Sequence, residues 1–249
     1  MKLPWLAGTV QRRLLVNYRV DPAVAASLLP APFRPQLVNG FAVAGICLIR
    51  LGSMRPAGVP AWLGVTSENA AHRVAVEWDT ADGLRTGVYI PRRDSNSLVN
   101  VAVGGRIYPG ALHLARFEVE EAEQDLHVAF DARDGSVAVT LDVQVTTELT
   151  GSRLFADTAS ASAFFEQGSV GFSATDDPSR FDGLALHTTA WKVDPGLAIR
   201  AESSFFADRT AFPEGSAELD CVLVMRQIPV RWQPLAPLRA ARPDTSVSV

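Results

Sequence analysis

"LHVAFDARDGSVAVTLDVQV", Leu126 to Val145, decides the fold class. Leu126, Val128 and Phe130 alternate with His127, Ala129 and Asp131, "DARDG" supplies a turn, and Val137, Val139, Leu141, Val143 and Val145 share one face of the returning segment. A period of two on each side of an Asp-Gly turn specifies an antiparallel hairpin with one buried face. "RVAVEW" repeats the pattern upstream, with Val74, Val76 and Trp78 on one face and Ala75 and Glu77 on the other, before "DTADG" turns into "LRTGVYIP". Strand-like runs continue at Leu184 to Val193 and Leu219 to Met225. The chain reads as mainly β.

Helices are few in this reading. "VDPAVAASLLP" offers Asp21 as an N-cap, Pro22 at the first helical position and Pro30 as a stop. A second short helix is expected from Asp157 or Thr158 to Glu166. Irregular stretches at 52–64, 173–183 and 206–218 are the expected loops, and loops on a rigid sheet are where binding residues tend to lie. Residues 1–235 read as one domain, followed by a polar, Pro-containing tail at 236–249 that is expected to fray.

The composition narrows the function classes. Hydrophobic residues at 47% against 20% charged suit a packed core and not a disordered chain. A formal charge of -4 and no basic run longer than Arg12-Arg13 or Arg92-Arg93 argue against a nucleic-acid partner. The apolar run "FAVAGICLI", Phe41 to Ile49, is too short to cross a bilayer, and the start "MKLPWLAG" lacks the apolar core of a signal peptide. No membrane partner and a cytoplasmic location are the expectations. Cys47 and Cys221 sit in apolar surroundings without metal-ligand or redox spacing, and they read as small buried hydrophobes.

No common catalytic motif is present, neither a nucleophile elbow, a phosphate-binding loop, a zinc-binding helix signature nor a dinucleotide fingerprint. His72, His113, His127 and His187 lack ligand-like spacing, so neither a metal nor another cofactor is expected. His127 falls on the polar phase of its strand and reads as solvated. In "GGRIYPGALHLARF", Gly104 to Phe117, the phase of His113 with Ala115, Phe117 and Val119 points it inward, where a core hydrogen bond is the commoner explanation and a pocket role the sharper one. Arg19 shares its phase with Asn17 and Arg13, the more polar face of its strand, which faces solvent unless it lines a wet barrel lumen. Glu68 in "VTSENAAHR" reads as a solvated loop acid.

Three of these segments, taken in order, resemble the acetoacetate decarboxylase-like superfamily, and most closely its uncharacterised branch. They are "NYRVDPAVAASLLPAPF", "GVTSEN" and "VAVGGRIYPGALHLARF", with "FFEQGSVGFS" and "LALHTTAWKV" extending the likeness across most of the chain. The resemblance implies an antiparallel β-barrel with a few short peripheral helices and an internal cavity. It implies substrate-binding roles for Arg19, in "YRVD", and Arg106, in the Gly-Arg pair, and a catalytic role for Glu68 in the acidic segment. The Schiff-base lysine of the true decarboxylases would fall at His113, and imidazole cannot form an imine. The only lysines are Lys2 and Lys192, neither at that position.

His113 would then serve as acid or base, Arg19 would hold a carboxylate or enolate-like oxygen, and Glu68 would orient one of them. The expected ligand is a small molecule, such as an oxo acid, and any turnover would be of lyase or hydratase type without a Schiff base. Members of the superfamily often assemble as homo-oligomers, which the resemblance extends to this chain. A second reading is a non-catalytic binding or structural barrel that acts through a protein partner, its interior filled by Trp62, Trp78 and Phe117.

Overall fold

The computed structural model describes residues 4–103 and 109–240, where fourteen strands form one sheet with four short helices around it. The first half contains β1 (Leu6–Val20), the short β2 (Arg34–Pro35) and β3 (Leu37–Val38), then β4 (Phe41–Pro56), β5 (Val65–Thr80) and β6 (Gly83–Ser95). The second half adds β7 (Leu112–Glu121), β8 (Asp125–Ala132), β9 (Ala138–Val145), β10 (Val170–Ala174), β11 (Arg180–His187), β12 (Asp194–Ser203), β13 (Ala217–Pro234) and β14 (Leu238–Arg239). The helices are α1 (Pro22–Ser27), α2 (Leu98–Val103), α3 (Thr158–Gln167) and α4 (Ser204–Ala207). None of the described helices is long and apolar enough to cross a membrane.

Both expected hairpins form, as β8–β9 and β5–β6. Asp21 caps α1 by accepting from the amides of Ala23 and Val24, and Asp157 caps α3 in a reciprocal box with Ser160. The tail is tied further than expected, because Leu238 and Arg239 pair with Phe181 and Arg180.

The pairings close twice. Five long strands in the order β13-β1-β4-β5-β6 make a shared wall. At one side β6 pairs with β10 through Val88 and Tyr89, and with β7 through Arg93 to Ser95. At the other, β13 pairs with β12 through Val222 to Val224 and with β11 through Arg231 to Pro234. The route β7-β8-β9-β12 therefore closes a larger ring on the wall, and β10-β11 closes a smaller one. Closure leaves the wall strands few unpaired edges.

The β6–β7 and β6–β10 pairs are parallel, so the expected antiparallel barrel holds for every pair but these. α2 precedes β7 and α3 precedes β10 in the chain, and the two strands meet β6 at different points, β10 at Val88 and Tyr89 and β7 at Arg93 to Ser95.

A shared wall has no solvent face, so both phases of its strands are covered. Leu14, Val16, Ile46, Leu48, Val74 and Val76 join Leu126, Val128, Phe130 and Leu141 in one core. The opposite phase, Leu15, Val43, Cys47 and Ala75, packs with Leu154, Phe155, Ala161 and Phe165 around α3.

His72 projects into the first core with no exposed surface, 4.3 Å from the Phe205 ring centroid, and neither ring nitrogen has a hydrogen-bond partner among the described residues. Burial, reinforced by the Arg92 charge, holds its pKa down at about 3 against an ordinary 6.5. Below that ordinary value the unfolded chain binds a proton that the fold rejects. The contribution of neutral His72 is thus complete at higher pH and falls as the pH drops through the window toward 3. We expect the unfolding free energy to decline by about 1.4 kcal/mol per pH unit from this group, and His72→Phe to remove that part of the slope in urea titrations at acidic pH. Identical slopes in the two proteins would contradict it.

Candidate functional site

The polar phase of "RRLLVNYRV" is the start of the site. Arg13, Leu15 and Asn17 face the smaller ring, while Leu14 and Val16 face the larger core. Register then sets the rows. Leu15 stands beside Cys47, which stands beside Ala71, which stands beside Arg93; one row along, Asn17, Gly45 and Arg73 are neighbours on β1, β4 and β5.

Arg73 crosses Gly45 to donate from Nη2 to Asn17 Oδ1, and its Nε donates to Cys47 Sγ at 3.2 Å. A Cβ at Gly45 would lie 2.2 Å from the Val16 carbonyl oxygen and 3.4 Å from Arg73 Nη2, so this position holds glycine by close approach. Phe165 of α3 covers the guanidinium, whose central carbon lies 4.7 Å from the ring centroid. Asn17 in turn donates from Nδ2 to the Leu15 carbonyl at 3.0 Å, which fixes its oxygen toward Arg73. From the adjacent row Arg13 Nη2 donates to the same Cys47 sulfur at 3.3 Å. Arg93 Nε donates to Ser173 Oγ at 3.3 Å.

These partners are a thiol, an amide and a hydroxyl; among the described residues none of Arg13, Arg73 and Arg93 is ion-paired with a carboxylate. Asp94, beside Arg93 in sequence, is taken by Arg92 at 2.7 Å. Among the described residues the buried Arg13 Nε has no hydrogen-bond partner. Desolvation lowers the pKa of Arg73, and it pushes that of Arg93 down to about 10, yet a guanidinium stays charged at neutral pH. Burial raises the pKa of Cys47, but the charges and hydrogen bonds of Arg13 and Arg73 outweigh it and the net shift is downward. Cationic charge buried without an anion is unfavourable, and a bound anion would relieve it.

All three guanidiniums and Cys47 line one cavity of about 150 Å³. Its apolar wall is made by Ile49, Val88, Ile90 and Leu184, and Asn69 and Asn100 line it as well. The volume suits an acid of a few non-hydrogen atoms, since sites for larger ligands run to roughly 300–1,000 Å³. Arg93 also borders a second cavity of about 370 Å³, lined by Arg92, His113, Ser173 and Asp182.

The residues singled out from sequence do not gather at one cavity. Arg19, last in the polar row, pairs with Glu218 and lies 3.6 Å from Asp220, so two carboxylates already occupy its fork. Glu68 is not a solvated loop acid: it lies in β5, buried, paired with Arg12 and 3.6 Å from Arg50 Nη1. Arg12, itself buried, also holds the half-exposed Glu121, away from the cavity lining. His113 lies in the second cavity with its side chain 41% exposed and Nδ1 3.0 Å from Asp134 Oδ2, so the inward placement expected from phase is not met. Strand alternation fails there because β7 begins at Leu112, at the rim where the sheet forks. Arg106 lies outside the described residues.

Trp78 and Phe117 pack in or against the larger core, but Trp62, also expected inside, is 80% exposed. Sequence reasoning passed over Arg73 and Arg93 and read Cys47 as a small buried hydrophobe. The available signal was the alternation itself, which puts Arg73 in phase with Ala75 and Glu77 and, at Arg13 and Asn17, already marked a polar face as a candidate lumen.

Nothing among curated proteins matches the chain. Among solved structures it is similar to the acetoacetate decarboxylase of Legionella pneumophila subsp. pneumophila str. Philadelphia 1, with 12% identity, a TM-score of 0.57 and coverage of 94% of this chain and 88% of that one. An acetoacetate decarboxylase-like enzyme from Sphingomonas wittichii RW1 gives 12% identity and a TM-score of 0.60 over 98% and 95% of the two chains. The enduracididine biosynthesis enzyme MppR, complexed with pyruvate, gives 13% and 0.58 over 97% and 91%. Identities this low establish a shared fold. With residues 8–229 matching its family pattern, the chain belongs to the DUF2071 family of uncharacterized conserved proteins and has the acetoacetate decarboxylase-like fold.

Proposed function

We propose that this protein binds a small organic acid, of the size of a short oxo acid, in the cavity of the smaller ring. The observation that carries the reading is the convergence of Arg13, Arg73 and Arg93 on one cavity with no carboxylate paired to them among the described residues. A planar guanidinium fork matches a carboxylate by two parallel hydrogen bonds, and Arg73 is held in place by Asn17, Cys47 and Phe165 before any ligand arrives. The apolar wall would take the rest of the acid. MppR, which shares the fold, is described in complex with pyruvate, a ligand of this class.

The reading does not route chemistry through a lysine imine. Lys192 is 75% exposed with Nζ 3.7 Å from Asp194, and Lys2 lies outside the described residues. His113 stands in the adjoining cavity across Arg93, its Nδ1 held by Asp134. Glu68 and Arg19 receive structural roles from the ion pairs that hold them.

Pyruvate and other short 2-oxo and 3-oxo acids should raise the unfolding temperature. At a hundredfold over the dissociation constant a ligand adds about 2.7 kcal/mol, roughly 5–10 °C for a domain of this size. Arg73→Gln and Arg13→Gln should abolish the shift, and Arg19→Ala and His113→Ala should retain it. Arg93→Met removes a buried charge, so we expect the ligand-free protein to become more stable while the shift shrinks. A wild-type protein indifferent to every acid tested would overturn the reading.

A further inference from the structure

Cys47 is buried between two guanidiniums and lines the same cavity as both. The other cysteine, Cys221, is a buried thiol without such donors: among the described residues no guanidinium hydrogen-bonds to it, Asn17 Nδ2 lies 3.5 Å away, Asp220 and Ser152 stand beside it, and burial pushes its pKa up to about 12. At Cys47 the donors Arg13 Nη2 and Arg73 Nε approach one sulfur from β1 and β5. Two cationic donors on one sulfur favour the thiolate, the form that acts as a nucleophile. Among the described residues neither arginine is neutralised by a carboxylate, and the buried Arg13 Nε has no hydrogen-bond partner. The sulfur therefore stands where the cavity's own electrostatics would deliver the carboxylate of a ligand.

We propose that Cys47 is a cavity nucleophile that adds to the electrophilic carbon of an arginine-held α,β-unsaturated carboxylic acid. The inference rests on the cavity being an anion site. In the step, a sulfur lone pair forms a C–S bond at the β-carbon, and the C=C π pair moves toward the carboxylate, where the guanidiniums hold the developing enolate charge. The α-carbon then takes a proton from water, which is made good by the proton the thiol released to solvent on forming the thiolate. A thioether acid results, with no net oxidation or reduction. Arg73 positions the sulfur and the carboxylate together, which places the reacting atoms on one side of the wall.

The folded full-length protein can be tested with acrylate, and with iodoacetate against iodoacetamide, followed by peptide mass spectrometry of Cys47 and Cys221. Acrylate should add its whole mass at Cys47 and at no other residue, and Cys47→Ser should remove the adduct. Iodoacetate, relative to iodoacetamide, should react at Cys47 at least about tenfold faster than with free glutathione, because a cationic cleft concentrates the anionic reagent. Pyruvate should slow both reactions, and Cys221 should stay unlabelled until the protein unfolds. A Cys47 that is unlabelled in the folded protein, or labelled without preference for the anionic reagents, would overturn the proposal. The pyruvate thermal shift on the same sample separates the causes. A shift without Cys47 labelling sinks the nucleophile and leaves the anion site, whereas loss of both sinks the anion site as well.

Discussion

The wall β13-β1-β4-β5-β6 is shared by two closed rings, and that sharing is the constraint on which the rest depends. An antiparallel sheet ordinarily leaves one face to water. Here both faces are covered, so residues of the polar phase lose most of their contact with water: Asn17 and Arg73 are buried and Arg13 half-buried. The chain resolves this by giving the two faces different content. Toward the larger ring, aliphatic and aromatic side chains fill the space, with Leu126, Val128 and Phe130 closing on Leu14 and Ile46. Toward the smaller ring, long cationic side chains lie across small residues, Arg73 over Gly45 and Arg93 beside Ala71.

The chemistry follows from that second face. Arg73, buried, and Arg13 and Arg93, half-buried, donate to Asn17, Cys47 and Ser173. Asn17 and Ser173 orient the guanidiniums without cancelling charge, and a Cys47 thiolate would offset only one of the three charges. The contrast inside the same molecule is Arg12, which is fully buried and paired with Glu68 and Glu121. One set of charges is closed on itself and holds the larger ring; the other is left open to a cavity. Electrostatic preorganisation of this sort stores unfavourable energy in the empty state that a ligand releases.

Much of this was legible in the sequence, and the limits have physical causes. Hairpin periodicity and turn residues are local, so β5–β6, β8–β9, the cap at Asp21 and the short helix beginning near Asp157 were readable directly. The resemblance carried by "NYRVDPAVAASLLPAPF" and its companions supplied the acetoacetate decarboxylase-like fold. The parallel pairs at β6 were not readable, because they depend on where α2 and α3 return the chain. The cavity was half visible. Alternation put Arg13 and Asn17 on a polar face, but that face became an interior only through β10 and β11, strands more than a hundred residues away in sequence. Cys47 looked like a small hydrophobe because its neighbours in sequence are apolar, whereas its neighbours in space, Arg13 and Arg73, come from other strands. His113 and Glu68 were read one at a time, and their partners Asp134 and Arg12 lie on other segments of the chain.

The most direct test of the account is a crystal structure of the protein grown with pyruvate. The account predicts a carboxylate in the smaller ring, within hydrogen-bond distance of Arg73 and Arg13, with its carbon end against Ile49 and Ile90. A cavity that holds only water at saturating pyruvate, or pyruvate bound elsewhere with the three arginines unchanged, would contradict it.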